Sequence, residues 1–138
     1  MYRLVVRRIV RRTYRRLTRE EYEKVVAQFA PSARFLFAGD HALGGERRGP
    51  EQIRAWFQEA FELFPDLRIE PDEILVGGWP WNTWIAVHFR VRATLRDGSP
   101  YQNEGMQLLR LRWGRAVEDY LFEDTHKLAA ALKIQTAR

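Results

Sequence analysis

Residues 83–113 decide the fold and read TWIAVHFRVRATLRDGSPYQNEGMQLLRLRW. Apolar and polar side chains alternate over a long span in the first half, which is typical of a strand with one buried face. The sequence RDG at residues 96–98 is a strong hairpin turn, and the second half is the return strand. Gly105 within that strand indicates a bulge. These residues therefore predict a long antiparallel hairpin.

Other helices and strands are predicted on both sides of this hairpin. Thr18 and Glu21 form a capping box, and Pro50 lies in the first turn of a helix, where proline is tolerated. Helices at the start and strands after them predict an α+β fold, with the helices packed in the concave side of a strongly curved, mostly antiparallel sheet. Such a bent sheet leaves a deep apolar cavity. The predicted elements besides the hairpin are helices at 1–17, from 19 and from 49, strands at 33–37, 67–78 and 116–124, and a short helix at 125–134.

The composition limits the class of protein. The chain has 138 residues, of which 46% are hydrophobic, and this predicts one compact domain over residues 1–138. It contains no cysteine, which excludes disulfides, thiolate zinc sites and cysteine nucleophiles and fits a reducing compartment. We therefore expect a cytoplasmic protein. No apolar run approaches the length of about 20 residues that spans a bilayer, so no transmembrane segment is predicted.

Residues 1–17 predict an amphipathic helix with an arginine-rich face. Eight arginines precede the first acidic residue, Glu20, and without them the net charge of +5 becomes −3. These charges have three interpretations: a solvated face, a contact with an anionic surface such as nucleic acid or a membrane, and a targeting segment. No recognition-helix pattern or basic and aromatic sheet motif accompanies the helix, so no specific nucleic-acid partner is expected.

Four segments of the sequence resemble a known family. They are the early helices ending in AQFAPSARF, the loop and helix GDHALGGERRGPEQIRAWF, the strand WNTWIAVHFRV, and RLRWGRAVEDYLFED. Over residues 13–126 the chain resembles the SnoaL-like branch of the nuclear-transport-factor-2-like superfamily, which includes polyketide cyclases, ketosteroid isomerases and limonene epoxide hydrolases. The resemblance implies a cone-shaped α+β fold that binds a small, largely apolar molecule without a cofactor.

The ketosteroid-isomerase branch implies roles for individual residues. Counted back from Gly49, Asp40 stands at the position of the branch's general base, whereas counted from the other side that position is Phe37. Gln107 stands where the branch has an oxyanion-binding aspartate, and Thr13 stands where it has a tyrosine. The resemblance thus implies that the base is retained at Asp40. It also implies that an amide, Gln107, replaces the oxyanion-binding aspartate, and that the hydrogen-bond donor of the tyrosine is lost at Thr13.

Asp40 and His41 also follow an aromatic strand at residues 33–37. A carboxylate held against aromatic rings has its pKa raised by desolvation, which suits a general base near neutral pH. His41 orients Asp40 or shares its proton in one interpretation and faces solvent in another, since adjacent residues of an extended chain point opposite ways. An Asp beside a turn also caps its own backbone. We expect Asp40 to point into the cavity.

The last predicted strand supplies a third candidate catalytic residue. In polyketide cyclases of the resembled branch, a catalytic acid or base comes from this strand. Strict alternation places Asp124 on the same face as Glu118 and Tyr120. We therefore expect Asp124 near the cavity mouth.

Aromatic and amide side chains supply the candidates for ligand binding. Aromatic side chains at a pocket mouth favour a flat apolar ligand. Asn103 and Gln107 alternate on one face of the return strand, and amides among apolar neighbours need hydrogen-bond partners. No two histidines have metal-ligand spacing, so no metal site is expected. The candidates are Trp56, Trp81, Tyr101, Asn103, Gln107 and Tyr120.

These residues predict a protein that binds a small, largely apolar molecule. With Asp40 as the base, the predicted chemistry is cofactor-independent isomerisation, cyclisation or hydration next to a carbonyl or epoxide. The alternative is a non-catalytic module that binds a ligand or a protein. The environment of Asp40 separates the two, because a base needs an apolar, solvent-poor site.

The outer face of the sheet predicts a homodimer. Trp84, Ala86 and His88 alternate along one side of a long strand, with Met106 and Leu108 beside them on the next. A surface this apolar is rarely left bare over several hundred Å². The resembled family commonly pairs through this face.

Overall fold

Four helices and six strands make up residues 1–137, the part of the chain that this computed structural model describes. The helices are α1 (Tyr2–Arg15), α2 (Tyr22–Val26), α3 (Gly49–Leu63) and α4 (Thr125–Gln135). The strands are β1 (Phe29–Phe37), β2 (Gly45–Arg48), β3 (Arg68–Trp79), β4 (Asn82–Thr94), β5 (Pro100–Arg112) and β6 (Arg115–Glu123).

The six strands form one curved sheet in the order β2-β1-β6-β5-β4-β3. Neighbouring strands are antiparallel except β1 and β6, which are parallel. α1 packs against β3, and α3 packs against β1 and β2. The α+β fold and the mostly antiparallel sheet predicted from the sequence are confirmed.

The predicted hairpin forms between β4 and β5. Its register runs from Thr83 opposite Leu111 to Thr94 opposite Pro100. Every second residue of β4 from Thr83 to Ala93 is buried, so the alternation in the sequence identifies the concave face of the sheet.

The bulge predicted at Gly105 is wrong. Gly105 pairs with Phe89 on one side and with Glu123 on the other in regular register. A Cβ atom at this position would lie 2.3 Å from the backbone oxygen of Phe122 and 2.7 Å from the Phe89 ring. The glycine therefore marks a close approach of neighbouring groups and not an extra residue.

A bulge occurs in β6 instead, at Val117. Leu111 pairs with Ala116 next to the β5–β6 turn, but Arg110 then pairs with Glu118. Val117 is therefore the extra residue between two pairs. A bulge of this kind shifts the side chains that follow it to the opposite face of the sheet.

The bulge decides which acidic residues face the helices. Because of it, Leu109 lies opposite Asp119, whereas regular pairing from the turn would place Leu109 opposite Glu118. Leu109 lines the concave side, and its neighbour Asp119 is buried there together with the partly buried Leu121 and Glu123.

The start of α2 also differs from the prediction. Its N-cap residue is Glu21, and no side chain caps it. Thr18 accepts the N–H groups of Glu21 and Tyr22 through its backbone oxygen, at 3.2 and 3.0 Å. Thr18 therefore belongs to the turn between α1 and α2, and the helix begins later than the capping box predicts.

α1 and α3 each bury one face against the sheet. Val6, Val10 and Tyr14 are the buried residues of α1 and recur at every fourth position. The buried residues of α3 are Ile53, Trp56, Phe57, Ala60 and Phe61.

No helix among residues 1–137 is both long and apolar enough to cross a membrane.

Candidate functional site

A cavity of about 220 Å³ lies between α1, α3 and the concave face of the sheet. Most of its wall is apolar and includes Val10, Phe35, Phe57 and Phe89. A largely apolar wall with a few polar groups is typical of a small-molecule site. The polar side chains of the wall are Thr13, Tyr14, Gln28, Gln107, Asp119 and Glu123.

Three of these polar side chains form a hydrogen-bonded chain from α1 to β6. The Tyr14 hydroxyl donates to Oε1 of Gln107 over 2.6 Å. The Gln107 amide Nε2 then donates to Oδ1 of Asp119 over 2.8 Å. Because Tyr14 occupies the amide oxygen, the amide N–H₂ is directed at Asp119.

Asp119 is the carboxyl group at the end of these hydrogen bonds, and it is buried, with only 4% of its surface exposed. Burial raises the pKa of Asp119 to about 7, and the hydrogen bond from Gln107 opposes this shift. Burial, together with the nearby Asp119 charge, also raises the pKa of Tyr14 well above its usual range. At neutral pH Tyr14 therefore stays a hydrogen-bond donor, and a pKa of about 7 makes both protonation states of Asp119 accessible.

Glu123 is a second carboxyl group on the cavity wall. Burial raises the pKa of Glu123 to about 7. The buried Asn103 supports it, because Nδ2 of Asn103 donates to Oε1 of Glu123 at 3.3 Å and to the Tyr101 hydroxyl at 2.8 Å. Glu123 lies four positions beyond Asp119 on an extended strand, which separates their backbones by about 13 Å. The cavity therefore has a titratable group at two places along β6.

The sequence matches a known family over most of its length. Residues 10–119 match the family model described as the SnoaL-like domain. The chain belongs to the SnoaL-like family. The resemblance that the sequence motifs suggested is confirmed. No curated protein matches the sequence.

Solved structures with the same fold include several SnoaL-like and NTF2-like proteins. TerC, co-crystallized with polyporic acid, is 17% identical over 93% of this chain and 97% of that chain, with a TM-score of 0.77. An NTF2-like protein of unknown function from Burkholderia pseudomallei K96243 is 25% identical over 93% and 95%, with a TM-score of 0.77. A candidate SnoaL-like polyketide cyclase from Jannaschia sp. CCS1 is 22% identical over 92% and 91%, with a TM-score of 0.67.

Asp40 lies outside the cavity of this SnoaL-like protein. The prediction that Asp40 points into the cavity is wrong, because Asp40 is exposed and is not among the lining residues. The last inward side chain of β1 is Phe37, and Gly39, with a φ of 126°, turns the chain away from the sheet. Asp40 therefore follows the turn instead of ending the strand.

His41 closes the same loop. The Leu43 N–H donates to Nδ1 of His41 at 3.2 Å, and Nε2 lies 3.3 Å from the Ala38 oxygen. This pattern corresponds to a neutral ring that accepts at Nδ1 and donates at Nε2. The ring also packs edge-on against Phe37, with 5.5 Å between centroids. His41 therefore organises the loop, and the structure does not bring it to the cavity.

Asp124 and Tyr120 are the other two predicted residues that lie outside the cavity. Asp124 is exposed and caps α4, accepting the N–H groups of His126 and Lys127 at 3.1 and 3.2 Å. Tyr120 lies on the outer face, where its hydroxyl donates to Glu118 over 2.7 Å. Both positions contradict the prediction, because the extra residue at Val117 exchanges the two faces of β6.

The remaining predicted residues divide between the cavity and its surroundings. Trp56 lines the cavity with Gln107, and its ring N–H donates to the Leu43 oxygen over 2.8 Å. Tyr101 and Asn103 are buried beside Glu123 but do not line the cavity. Trp81 is exposed at the β3–β4 turn.

Among residues 1–137, no three His, Asp or Glu side chains are arranged to hold a metal ion.

Sequence reasoning missed Tyr14, Asp119 and Glu123. Tyr14 had a usable signal, because Val6, Val10 and Tyr14 follow at intervals of four residues on one helical face. The two carboxyl groups had none, because the bulge that turns them inward is not visible in the alternation of β6.

Proposed function

We propose that this protein binds a small, largely apolar molecule in the cavity and exchanges a proton with it through Asp119. The observation that supports the proposal is a buried carboxyl group, with its pKa near 7, in a largely apolar cavity wall. A general base works best when its pKa is close to the operating pH. Asp119 thereby takes the role that the sequence assigned to Asp40.

The proposed chemistry is cofactor-independent isomerisation or cyclisation next to a carbonyl group. Asp119 accepts a proton from the carbon beside the carbonyl, and the electron pair of the broken C–H bond moves onto the carbonyl oxygen. Return of that proton to another carbon completes an isomerisation. Alternatively, attack of the enolate carbon on a second carbonyl closes a ring, and Asp119 returns its proton to the alkoxide oxygen that forms. Gln107 and Tyr14 hold the carboxyl group in place, because each hydrogen bond in the chain restricts the next.

Filling the cavity tests the binding half of the proposal. Leu121→Phe places a larger side chain in the cavity wall, and we expect it to weaken binding of 2-naphthol, a flat apolar fluorescent molecule, at least about tenfold. The matched control is Leu75→Phe on the exposed face of β3, which should bind like the unmodified protein. Fluorescence titration measures both. Equal binding by the two variants would contradict a ligand in this cavity.

We also propose a homodimer through the outer face of the sheet. Trp84, Met106, Leu108 and Phe122 are exposed there. Met106 lies opposite Phe122 in the sheet, so part of this apolar surface is continuous across β5 and β6. An exposed apolar patch of this kind is typical of an association surface.

Charge placed in this patch tests the dimer. Met106→Glu with Leu108→Glu should give a monomer, because two carboxylates would have to be buried in the interface. Light scattering at micromolar concentration should give the dimer mass for the unmodified chain and the monomer mass for the variant. A monomer mass for the unmodified chain refutes the proposal.

A further inference from the structure

We propose that one end of the molecule docks on an anionic lipid bilayer. This surface, the Trp–Arg end, consists of Trp79, Trp81 and Trp113 at two neighbouring turns and of the exposed side of α1. It goes beyond the proposed function, since it concerns where the protein works and not the reaction in the cavity.

The three tryptophans form one exposed cluster. Their exposed fractions are 62% for Trp79, 53% for Trp81 and 74% for Trp113. Trp79 stacks on Trp81 with 6.0 Å between ring centroids, and Trp81 lies 6.3 Å from Trp113. The backbone N–H of Trp113 donates to the Pro80 oxygen over 2.9 Å, which ties the β5–β6 turn to the β3–β4 turn. Tryptophan is enriched at the membrane–water interface because its ring is apolar and its N–H is polar.

The exposed side of α1 continues this cluster. Tyr2 forms a hydrogen bond with Thr83, whose hydroxyl donates to the Trp79 oxygen over 2.8 Å. The first turn of α1 therefore lies against the β3–β4 turn. Leu4, Val5 and Ile9 are exposed along the helix. An interfacial helix presents such aliphatic side chains to the acyl chains of the bilayer.

The charge of α1 complements an anionic surface. Eight arginines precede the first acidic residue of the chain. Within residues 1–137, none of the arginines of α1 forms a salt bridge. Arginines next to exposed leucine, valine and isoleucine fit a lipid surface better than nucleic acid, which offers phosphates but no apolar interior.

Trp113 occupies a backbone position that disfavours it. Its φ is 50°, and the φ of Gly114 is 80°. A two-residue hairpin turn with both φ values positive prefers Asn followed by Gly, because asparagine tolerates the left-handed region. A bulky aromatic at the first position breaks this local rule, and such exceptions concentrate at functional sites.

The cavity opens at the same end. Ile9 and Gly114 line the cavity and are also exposed, so the cavity reaches the exterior between α1 and the β5–β6 turn. A ligand dissolved in the bilayer would meet this opening directly. Entry of a ligand from the bilayer rests on the proposed function, whereas docking on vesicles does not. Vesicle binding and ligand binding are measured separately, so one proposal can fail while the other holds.

Flotation with lipid vesicles tests the proposal. We expect the protein to bind vesicles of equal parts phosphatidylglycerol and phosphatidylcholine, to bind pure phosphatidylcholine much more weakly, and to dissociate as salt is raised. Arg8→Gln with Arg12→Gln should weaken binding to the anionic vesicles about thirtyfold. The matched control is Lys127→Gln with Lys133→Gln, which removes the same charge from α4 and should leave binding unchanged. Gln135 of α4 bonds Arg96 in the β4–β5 turn, at the opposite end of the strands from the Trp–Arg end.

Trp113→Asn separates docking from folding. This change places the preferred residue in the turn, so we expect a higher midpoint of thermal unfolding together with weaker binding to the anionic vesicles. Weaker binding in a more stable protein supports a docking role for Trp113. The proposal is overturned if the arginine and lysine pairs lose binding equally, if pure phosphatidylcholine binds as well, or if a labelled 20-nucleotide DNA binds more tightly than the vesicles and displaces them.

Discussion

Asp119→Asn should lower the rate of proton exchange by about 10²–10⁴-fold, the usual contribution of a general base. Asparagine keeps the shape of the side chain and can still accept the amide N–H of Gln107, but it cannot take up a proton. The exchange of carbon-bound hydrogen for deuterium beside the carbonyl of 2-tetralone, followed by NMR, measures this rate. In the unmodified protein the rate should rise with pH and level off above about pH 7, because the ionised form of Asp119 is the base.

Two matched variants complete this experiment. Glu118→Gln makes the same chemical change at the neighbouring position, where the carboxylate bonds Arg110 and Tyr120 on the outer face. Asp40→Asn makes the corresponding change in the exposed loop. Both should exchange at the unmodified rate. If Asp119→Asn retains full activity, Asp119 is not the base. If neither the unmodified protein nor any variant exchanges hydrogen faster than the uncatalysed reaction, the protein is a binding module.

The same carboxyl group should make the protein less stable as the pH rises. The pKa of Asp119 is about 7 in the folded chain and about 3.9 in an unfolded one. The folded state therefore binds more protons than the unfolded state between these values, so its stability is fully present below pH 4 and is lost as the pH rises towards 7. For this one group the loss between pH 5 and pH 8 is about 3 kcal/mol.

Urea unfolding at pH 5 and pH 8 measures this effect. Asp119→Asn should remove about 3 kcal/mol from the decrease in the free energy of unfolding between the two pH values. Glu118→Gln is again the control, because hydrogen bonding to Tyr120 lowers the pKa of Glu118, and that group stays ionised over this range. The same decrease in Asp119→Asn as in the unmodified protein would show that Asp119 is ionised at both pH values.

The elements with a clear hydrophobic period could be predicted from the sequence. β4 and β5 follow a period of two on either side of a recognisable turn, and α3 follows a helical period after a proline. Their burial depends on local pattern alone, which is why the fold class and the positions of Trp56 and Gln107 in the cavity wall followed from it.

The acidic groups of the site could not be predicted, because their direction depends on pairing between strands. A turn followed by regular pairing places Glu118 opposite Leu109, and only the extra residue at Val117 places Asp119 there instead. The prediction that Asp40 points into the cavity was wrong for a related reason. Its position was counted along the chain, whereas the strand ends at Phe37 and the chain then leaves the sheet.

The parallel pairing of β1 with β6 has a consequence for synthesis of the protein. β1 lies between β2 and β6, so the first strand of the sheet obtains its second neighbour only from residues 115–123. While the ribosome is still adding these residues, β1 has an unpaired edge and the cavity has no β6 wall. Pairing across such a long sequence separation slows folding, and until it occurs the unpaired edge of β1 is prone to aggregation. The binding site therefore forms only after residues 115–123 have been synthesised and β6 has paired between β1 and β5.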